Sequence, residues 1–316
     1  MLIDRILDCF HPPISAELRD YCKDRLLNST VIDCQNIHGY LFEKYYLQEK
    51  VDHFPSDFFP NVAPCFTDTW FEFSPHFNEP IIITPAGPVR KMGMLLTSCL
   101  GKDYFDVPEE EMPSISKNVK WVTGGVAWVE MIGKVHAMLP VTVRLLISPE
   151  GKILNTAWKK IESFEMSRYK EHGISEKDHI EQMTMVINCI LGNPLFTLCF
   201  LHCKNVELKK IVPSEKQQQK RMKEGKHEFL TYHTLAIEPM KKILKSEGNI
   251  HSEGIKKALH ICRGHFKDFS KGSGLFGKYK GLYWWEQSLR GTQPRIVLKD
   301  YKIETPKPIR LISERR

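Results

Sequence analysis

Between residues 256 and 285 the chain collects Lys256, His260, Arg263, His265, Lys267, Lys278, Lys280, Trp284 and Trp285. Two histidines beside an arginine and several lysines are the groups needed to cleave RNA without a metal ion. One imidazole takes the proton from a 2′-hydroxyl, and the other gives a proton to the leaving 5′-oxygen. A cation stabilises the charge that builds up between them. Histidine suits both steps because its pKa lies near neutrality. In this reading His260 and His265 move the protons, while Arg263 and Lys278 face the developing charge. Lys256, Lys267 and Lys280 contact phosphates, with His233 from an earlier segment, and Tyr283, Trp284 or Trp285 stacks on an unpaired base. The same residues fit two plainer uses. One is a binding surface without cleavage, in which the histidines are phosphate contacts; the other is packing, in which the paired tryptophans belong to a core.

Other chemistries fit the sequence less well. GSGLFGKY at 272–279 is one letter short of the phosphate-binding pattern G-x-x-x-x-G-K-[ST]. That loop needs a buried strand before it, a hydroxyl after the lysine and a helix behind it. Here HFKDFSK precedes it, Tyr279 replaces the hydroxyl residue, and an aromatic run follows. The stretch reads as a basic glycine turn leading into an aromatic strand. Thr234 follows His233 directly, with no second H-x-[ST] copy, so a two-histidine phosphoesterase signature is absent. Cys199, His202 and Cys203 form the one tight cluster of soft ligands, without the second pair that zinc would want. Asp68, Glu72, Asp103 and Asp106 lack the spacing of a two-metal nuclease. No metal and no cofactor are expected. Nine cysteines, an odd number at irregular spacing, read as reduced buried thiols.

Charge is divided unevenly. Residues 204–316 hold 26 Lys and Arg against 12 Asp and Glu, a net of +14, whereas residues 1–203 carry −7. An acidic front with a basic back is expected of a protein that meets a polyanion with one part. The division gives an acidic α+β region at 1–203, a basic loop or arm at 204–228 and a basic C-terminal module at 229–316. No apolar run reaches the ~18 residues that span a bilayer. MLIDRILDCF carries acids where a signal peptide would be basic. These features point to a cytoplasmic protein without a membrane partner.

The positioning elements follow from periodicity. The first fifty residues read as helical, with Ser15 starting a helix over the following dozen residues. Strands are expected at 66–73, 81–84, 89–98, 126–132 and 139–148, with a tight turn at 148–153 in which Gly151 supplies the positive φ. Consecutive strands without helices between them suggest an antiparallel meander. The acidic segment 106–113 reads as a loop. Residues 174–201 read as helix from a Ser175 cap, broken at Gly192–Pro194, and 229–237 returns to strand. SEGIKKALHICR at 252–263 reads as a short helix capped by Ser252, with Lys256, His260 and Arg263 on one face. The expected fold is α+β: an antiparallel sheet in the N-terminal half with flanking helices, and a basic α/β C-terminal part.

The run His260–Phe266 (HICRGHF), followed by Leu275–Lys278 (LFGK) and Gly281–Trp285 (GLYWW), resembles a C-terminal signature of uncharacterised bacterial and phage-encoded proteins. Cys203–Val206 resembles another piece of it. The likeness covers the last third of the chain well and the remainder faintly. It implies a phage or mobile-element context, of toxin or defence type, and carries no activity with it. The reading is therefore a nucleic-acid-binding protein, RNA favoured, with metal-independent ribonuclease action as its catalytic form. The rival is a non-enzymatic phage protein that inhibits a host protein, with Glu109, Glu110 and Glu111 mimicking a polyanion.

Overall fold

Runs of β-branched and aromatic residues in the first half make strands that are buried on both faces, because such side chains pack well on a pleated surface. The structure, a computed structural model, describes residues 1–12, 14–38, 58–74, 82–84, 87–99, 118–131, 136–161, 175–246, 258–262, 264–286, 288–290, 293–296 and 309–310. In chain order the elements are α1 (Leu2–Asp8), α2 (Ala16–Asn28), β1 (Thr30–Asp33), β2 (Asp68–Phe73), β3 (Ile82–Thr84), β4 (Gly87–Cys99), β5 (Trp121–Met131), β6 (His136–Ile147) and β7 (Ile153–Lys160). Then come α3 (Glu176–Leu201), β8 (Val206–Ile211), α4 (Glu215–Lys223), β9 (Tyr232–Ile237), α5 (Met240–Ser246) and β10 (Ala258–Cys262). The last are β11 (His265–Asp268), β12 (Leu282–Trp285), β13 (Ser288–Arg290), β14 (Gln293–Ile296) and β15 (Ile309–Arg310).

The chain is α+β. Its main sheet runs β7-β6-β5-β4-β2-β1-β9-β8, with β3 joined to β4 and β15 to β3. The expected meander is present as β4 through β6, each antiparallel to the next, and β7, which the sequence does not announce, extends it. The sheet as a whole is mixed, because β1 lies parallel to both β2 and β9. This corrects the helical reading of the first fifty residues at Thr30–Asp33. Through β1 the sheet also crosses the boundary expected at 203, taking β8 and β9 from the basic part. Gly151 makes the turn after β6 with φ 77°, where an added Cβ would lie 1.9 Å from the Asn61 side chain.

Each sheet face carries its own core. On one, Trp70, Leu95, Val126 and Trp128 pack under α1 and α2. On the other, Phe71, Met94, Val129 and Val143 pack under α3. Ser15 and Ser175 cap α2 and α3 as expected, each accepting from the backbone N–H three residues on. α3 does not break at Gly192–Pro194 but runs through Pro194. Tight packing around Leu191, Leu195 and Phe196 holds the turn that lost a backbone donor. Ile180–Leu201 within α3 is 22 residues long with mean hydropathy 1.7, enough to cross a bilayer by length and composition, against expectation. It is 81% buried within the fold, as a core helix is.

Two further expectations change. The arm at 204–228 forms β8 and α4 instead of an exposed loop. β8 is an edge strand paired to one neighbour, so most of its side chains stay exposed and its apolar period is faint. α4 shows little apolar period because a single residue, Arg221, is buried. The expected helix at 252–263 is a strand over Ala258–Cys262, paired with β13 and β14, so cross-strand pairing outweighs the helical spacing. The proposed cap Ser252, Lys256, the acidic segment 106–113 and Glu109–Glu111 lie outside the described residues.

Glu72 joins α1 to the sheet. Its buried carboxylate accepts from Leu2 N at 2.7 Å, Ile3 N at 3.2 Å, Trp70 Nε1 at 3.2 Å and Lys91 Nζ at 2.9 Å. Glu72→Ala should lower unfolding free energy by about 3–5 kcal/mol, because it strands buried donors and a cation together. Exposed Glu207→Ala should stay within about 0.5 kcal/mol of wild type. Urea denaturation with unchanged m-values checks both.

Candidate nucleic-acid interface

The site is built on the hairpin of β11 and β12, in the register His265↔Trp285, Phe266↔Trp284, Lys267↔Tyr283 and Asp268↔Leu282. Directly opposed residues share a face, so alternation sends Phe266 and Trp284 one way and His265, Lys267, Tyr283 and Trp285 the other. Phe266 and Trp284 turn inward onto α3. Their rings lie 4.8 Å apart, and Phe200 is 4.7 Å from Trp284. Trp284 is 1% exposed and cannot receive a base, which corrects its reading as a stacking residue.

Asn205 fixes the hairpin to the body. Its amide accepts from Trp284 N and donates to Trp284 O, both at 3.0 Å, and donates to Glu238 O at 2.8 Å. Gly264 is required at the hairpin's start, because a Cβ there would sit 2.5 Å from the Trp284 ring. The opposite face packs on α5, where Tyr279 and Tyr283 join Met240 and Leu244. Burial pushes the Tyr283 phenol up from its ordinary pKa. Trp285 is half-buried at the edge of that cluster, and Lys267 Nζ lies 4.0 Å from its ring centroid, a cation–π contact. His265, half-buried, shares this face.

Between the strands, residues 269–281 form a basic glycine loop. Phe269 N donates to Gly281 O, and Leu275 N to Tyr279 O, which closes a second, smaller loop within the first. Lys278 N donates to Leu275 O across Phe276 and Gly277, whose φ values are 52° and 70°. Positive φ at both central residues is the sign of a type I′ turn. Because a strand follows, and no helix, the phosphate-loop geometry is absent, as the sequence indicates. Lys271, Lys278 and Lys280 are exposed on this loop, and Lys204 lies along Gly281, its Cε 3.3 Å from where a Cβ would be. Asp268 opens the loop; the Ser270 hydroxyl and amide, then Lys152 and Lys271, hold its carboxyl below the usual carboxylate range.

Not every expected residue meets at this place. His260 stands on β10, opposite Arg290 of β13, in a sheet separate from the hairpin. Arg263 and Lys256 lie outside the described residues. His233 belongs to β9, its Nδ1 3.2 Å from Val31 O. The structure brings together His265, Lys267 and Trp285, with Lys278 and Lys280 on the adjoining loop.

Two groups escaped the sequence reading. Phe276 carries no local signal of its place, because Asn, Asp or Gly is the residue that a type I′ turn favours there. The lysines of α4 were read as an arm, although Ser214 and Gln217 make the capping box that announces a helix.

Elsewhere, an open cleft of about 830 Å³ is lined by Arg25, Cys65, Asp68, Ser98 and Trp121. Its charged pair is already matched, Arg25 to Asp68 at 3.2 Å. Burial pushes the thiols of Cys22 and Cys34 up to about 12 and that of Cys65 up to about 11, so they are poor nucleophiles at neutral pH. Cys199 and Cys203 face the core, whereas His202 Nε2 lies 2.8 Å from Ala63 O. Among the described residues no three His, Cys, Asp or Glu side chains converge as metal ligands would.

No protein-family model, curated protein or solved structure matches the chain. Trp284→Ala should cost about 3–5 kcal/mol of stability as a buried aromatic. Trp285→Ala should cost less than about 2 kcal/mol. Equal losses in thermal denaturation would contradict the face assignment.

Proposed function

We propose that the chain binds nucleic acid, RNA in the first instance, through the basic surface of its C-terminal half. The supporting observation is a contrast in how the two halves use their cations. In the first half Arg5, Arg25 and Lys91 meet the buried carboxylates of Glu130, Asp68 and Glu72. In the second half Lys209, Lys210, Lys216, Lys220 and Lys223 are exposed, and none forms an ion pair among the described residues. Lys216, Lys220 and Lys223 fall at i, i+4 and i+7 of α4, hence along one face. Arg221, on another side of the helix, anchors it through Asp8 at 2.8 Å. A row of like charges left in water adds nothing to the fold and repels itself; a phosphate backbone relieves that repulsion and releases counterions.

Cleavage is the catalytic form of this reading. In that form His265 on the hairpin moves one proton and Lys278 on the adjoining loop faces the charge, with His260 of the separate β10 sheet as the second proton-transfer group, giving a 2′,3′-cyclic phosphate and a 5′-hydroxyl. The test uses a labelled single-stranded RNA in EDTA. Wild type is expected to bind and cleave it, and His265→Ala to bind without cleaving. Intact RNA that still shifts on a gel removes the cleavage and keeps the binding.

The binding itself is tested by salt. With five phosphates neutralised, log K should fall against log salt with a slope of about −3.5, and changing Lys216, Lys220 and Lys223 to Gln should reduce the slope by about 2. A flat response, or capture of one host protein that survives nuclease treatment, would overturn the proposal in favour of a protein partner.

A further inference from the structure

We propose that Phe276 is the platform on which an unpaired base stacks, so that the strand held by this protein is single-stranded. The inference rests on the nucleic-acid reading above and narrows its substrate class. Among the described residues Phe276 is the one exposed aromatic of the large apolar side chains, at 60% exposure. It is also the one non-glycine residue with positive φ among them, at 52°. Glycine, Asn or Asp would make the same turn with less strain, and an exposed phenyl ring contributes no packing. Neither the turn nor the core accounts for Phe at this position; a ring offered to solvent for an outside partner does.

The turn is rigid enough to present that ring. Leu275 N donates to Tyr279 O at 3.0 Å, Tyr279 N to Leu275 O at 3.0 Å, and Lys278 N to Leu275 O at 3.1 Å. Leu275 and Tyr279 are rooted in the cluster against α5, so the residues on either side of the turn tip are anchored. Gly274 lets the two arms close, since a Cβ there would lie 2.6 Å from Tyr279 O. A ring already held in place loses little freedom when it meets a base.

The surroundings select the kind of partner. Residues 269–281 contain three lysines and no acid, and Lys204 lies along the end of the loop. Cations around a single flat ring match a backbone of phosphates with splayed bases, because stacking tolerates any base and the cations follow the strand. A duplex hides its base faces and would leave Phe276 unused. An anionic bilayer would attract the same lysines, but interfacial insertion needs an extended apolar face, and this tip offers one ring.

The experiment compares wild type, Phe276→Ala and Phe276→Tyr by fluorescence anisotropy on one labelled RNA, presented single-stranded and as a duplex. Phe276→Ala is expected to weaken single-strand binding by about 5- to 100-fold. Duplex binding, the salt slope and the melting temperature should not fall, and Phe276→Tyr should bind as wild type does. If Phe276→Ala binds single strands as well as wild type, or loses both ligands equally, the stacking role is overturned while nucleic-acid binding stands. If wild type binds neither RNA, both fall together. Binding of wild type, and not of Phe276→Ala, to phosphatidylserine vesicles would overturn the inference in favour of a membrane surface.

Discussion

The body of this protein hangs on a short helix fixed to a sheet by charge. α1 is seven residues long, too short to hold its shape alone. Glu72 reaches it from β2 and accepts the N–H groups of Leu2 and Ile3, which no helical carbonyl could satisfy. Along the same helix Arg5 donates to buried Glu130 of β5 at 2.6 Å, and Asp4 accepts from Leu230 N at 3.0 Å. Asp8 accepts from Arg221 of α4 at 2.8 Å. One helix thus ties together two strands, the approach to β9 and the basic helix. The Glu72 carboxylate is tolerable at this depth because both its oxygens are engaged.

That arrangement explains why the chain's two charge regimes coexist. In the acidic half, the buried carboxylates of Glu130, Asp68 and Glu72 are matched by Arg5, Arg25 and Lys91 within the fold. In the basic half Arg221 pairs with Asp8 in a buried contact, while Lys226 and Lys242 pair with Glu224 and Glu238 at the surface; Arg221 holds α4 so that Lys216, Lys220 and Lys223 remain in water. The basic surface is therefore displayed by the structure, not left over from it. β8 takes part as an edge strand, where lysines also discourage pairing with another chain.

The hairpin of β11 and β12 is attached by a second device. Asn205 pairs with the backbone of Trp284 in both directions, while Trp284 and Phe266 fill the space at the end of α3. With one face spent on α3 and the other on α5, little of the hairpin is left to solvent except its connecting loop. Lysines and one phenyl ring occupy that loop. A rigid base with an exposed, positively charged tip is the geometry through which we read the function.

Local signals were enough for much of this. The strands β2 to β6, the turn at Gly151, the caps at Ser15 and Ser175, the aromatic strand after the glycine turn and the division of charge all follow from spacing and residue type. Each depends on neighbours within a few positions. Contacts between distant residues decided the rest. β1 is four residues of ordinary sequence, and only its place between β2 and β9 makes the sheet mixed and continuous across the charge boundary. Ala258–Cys262 has helical spacing but finds partners at 288–290 and 293–296, so it becomes a strand. Trp284 and Trp285 are identical letters; pleating buries one against Phe200 and leaves the other beside Lys267. Phe276 is an apolar letter whose exposure only the folded turn shows. The sequence determined which residues were available to meet a polyanion, because charge and type are local properties. Tertiary structure decided which of them reach solvent, because burial depends on what the rest of the chain brings alongside.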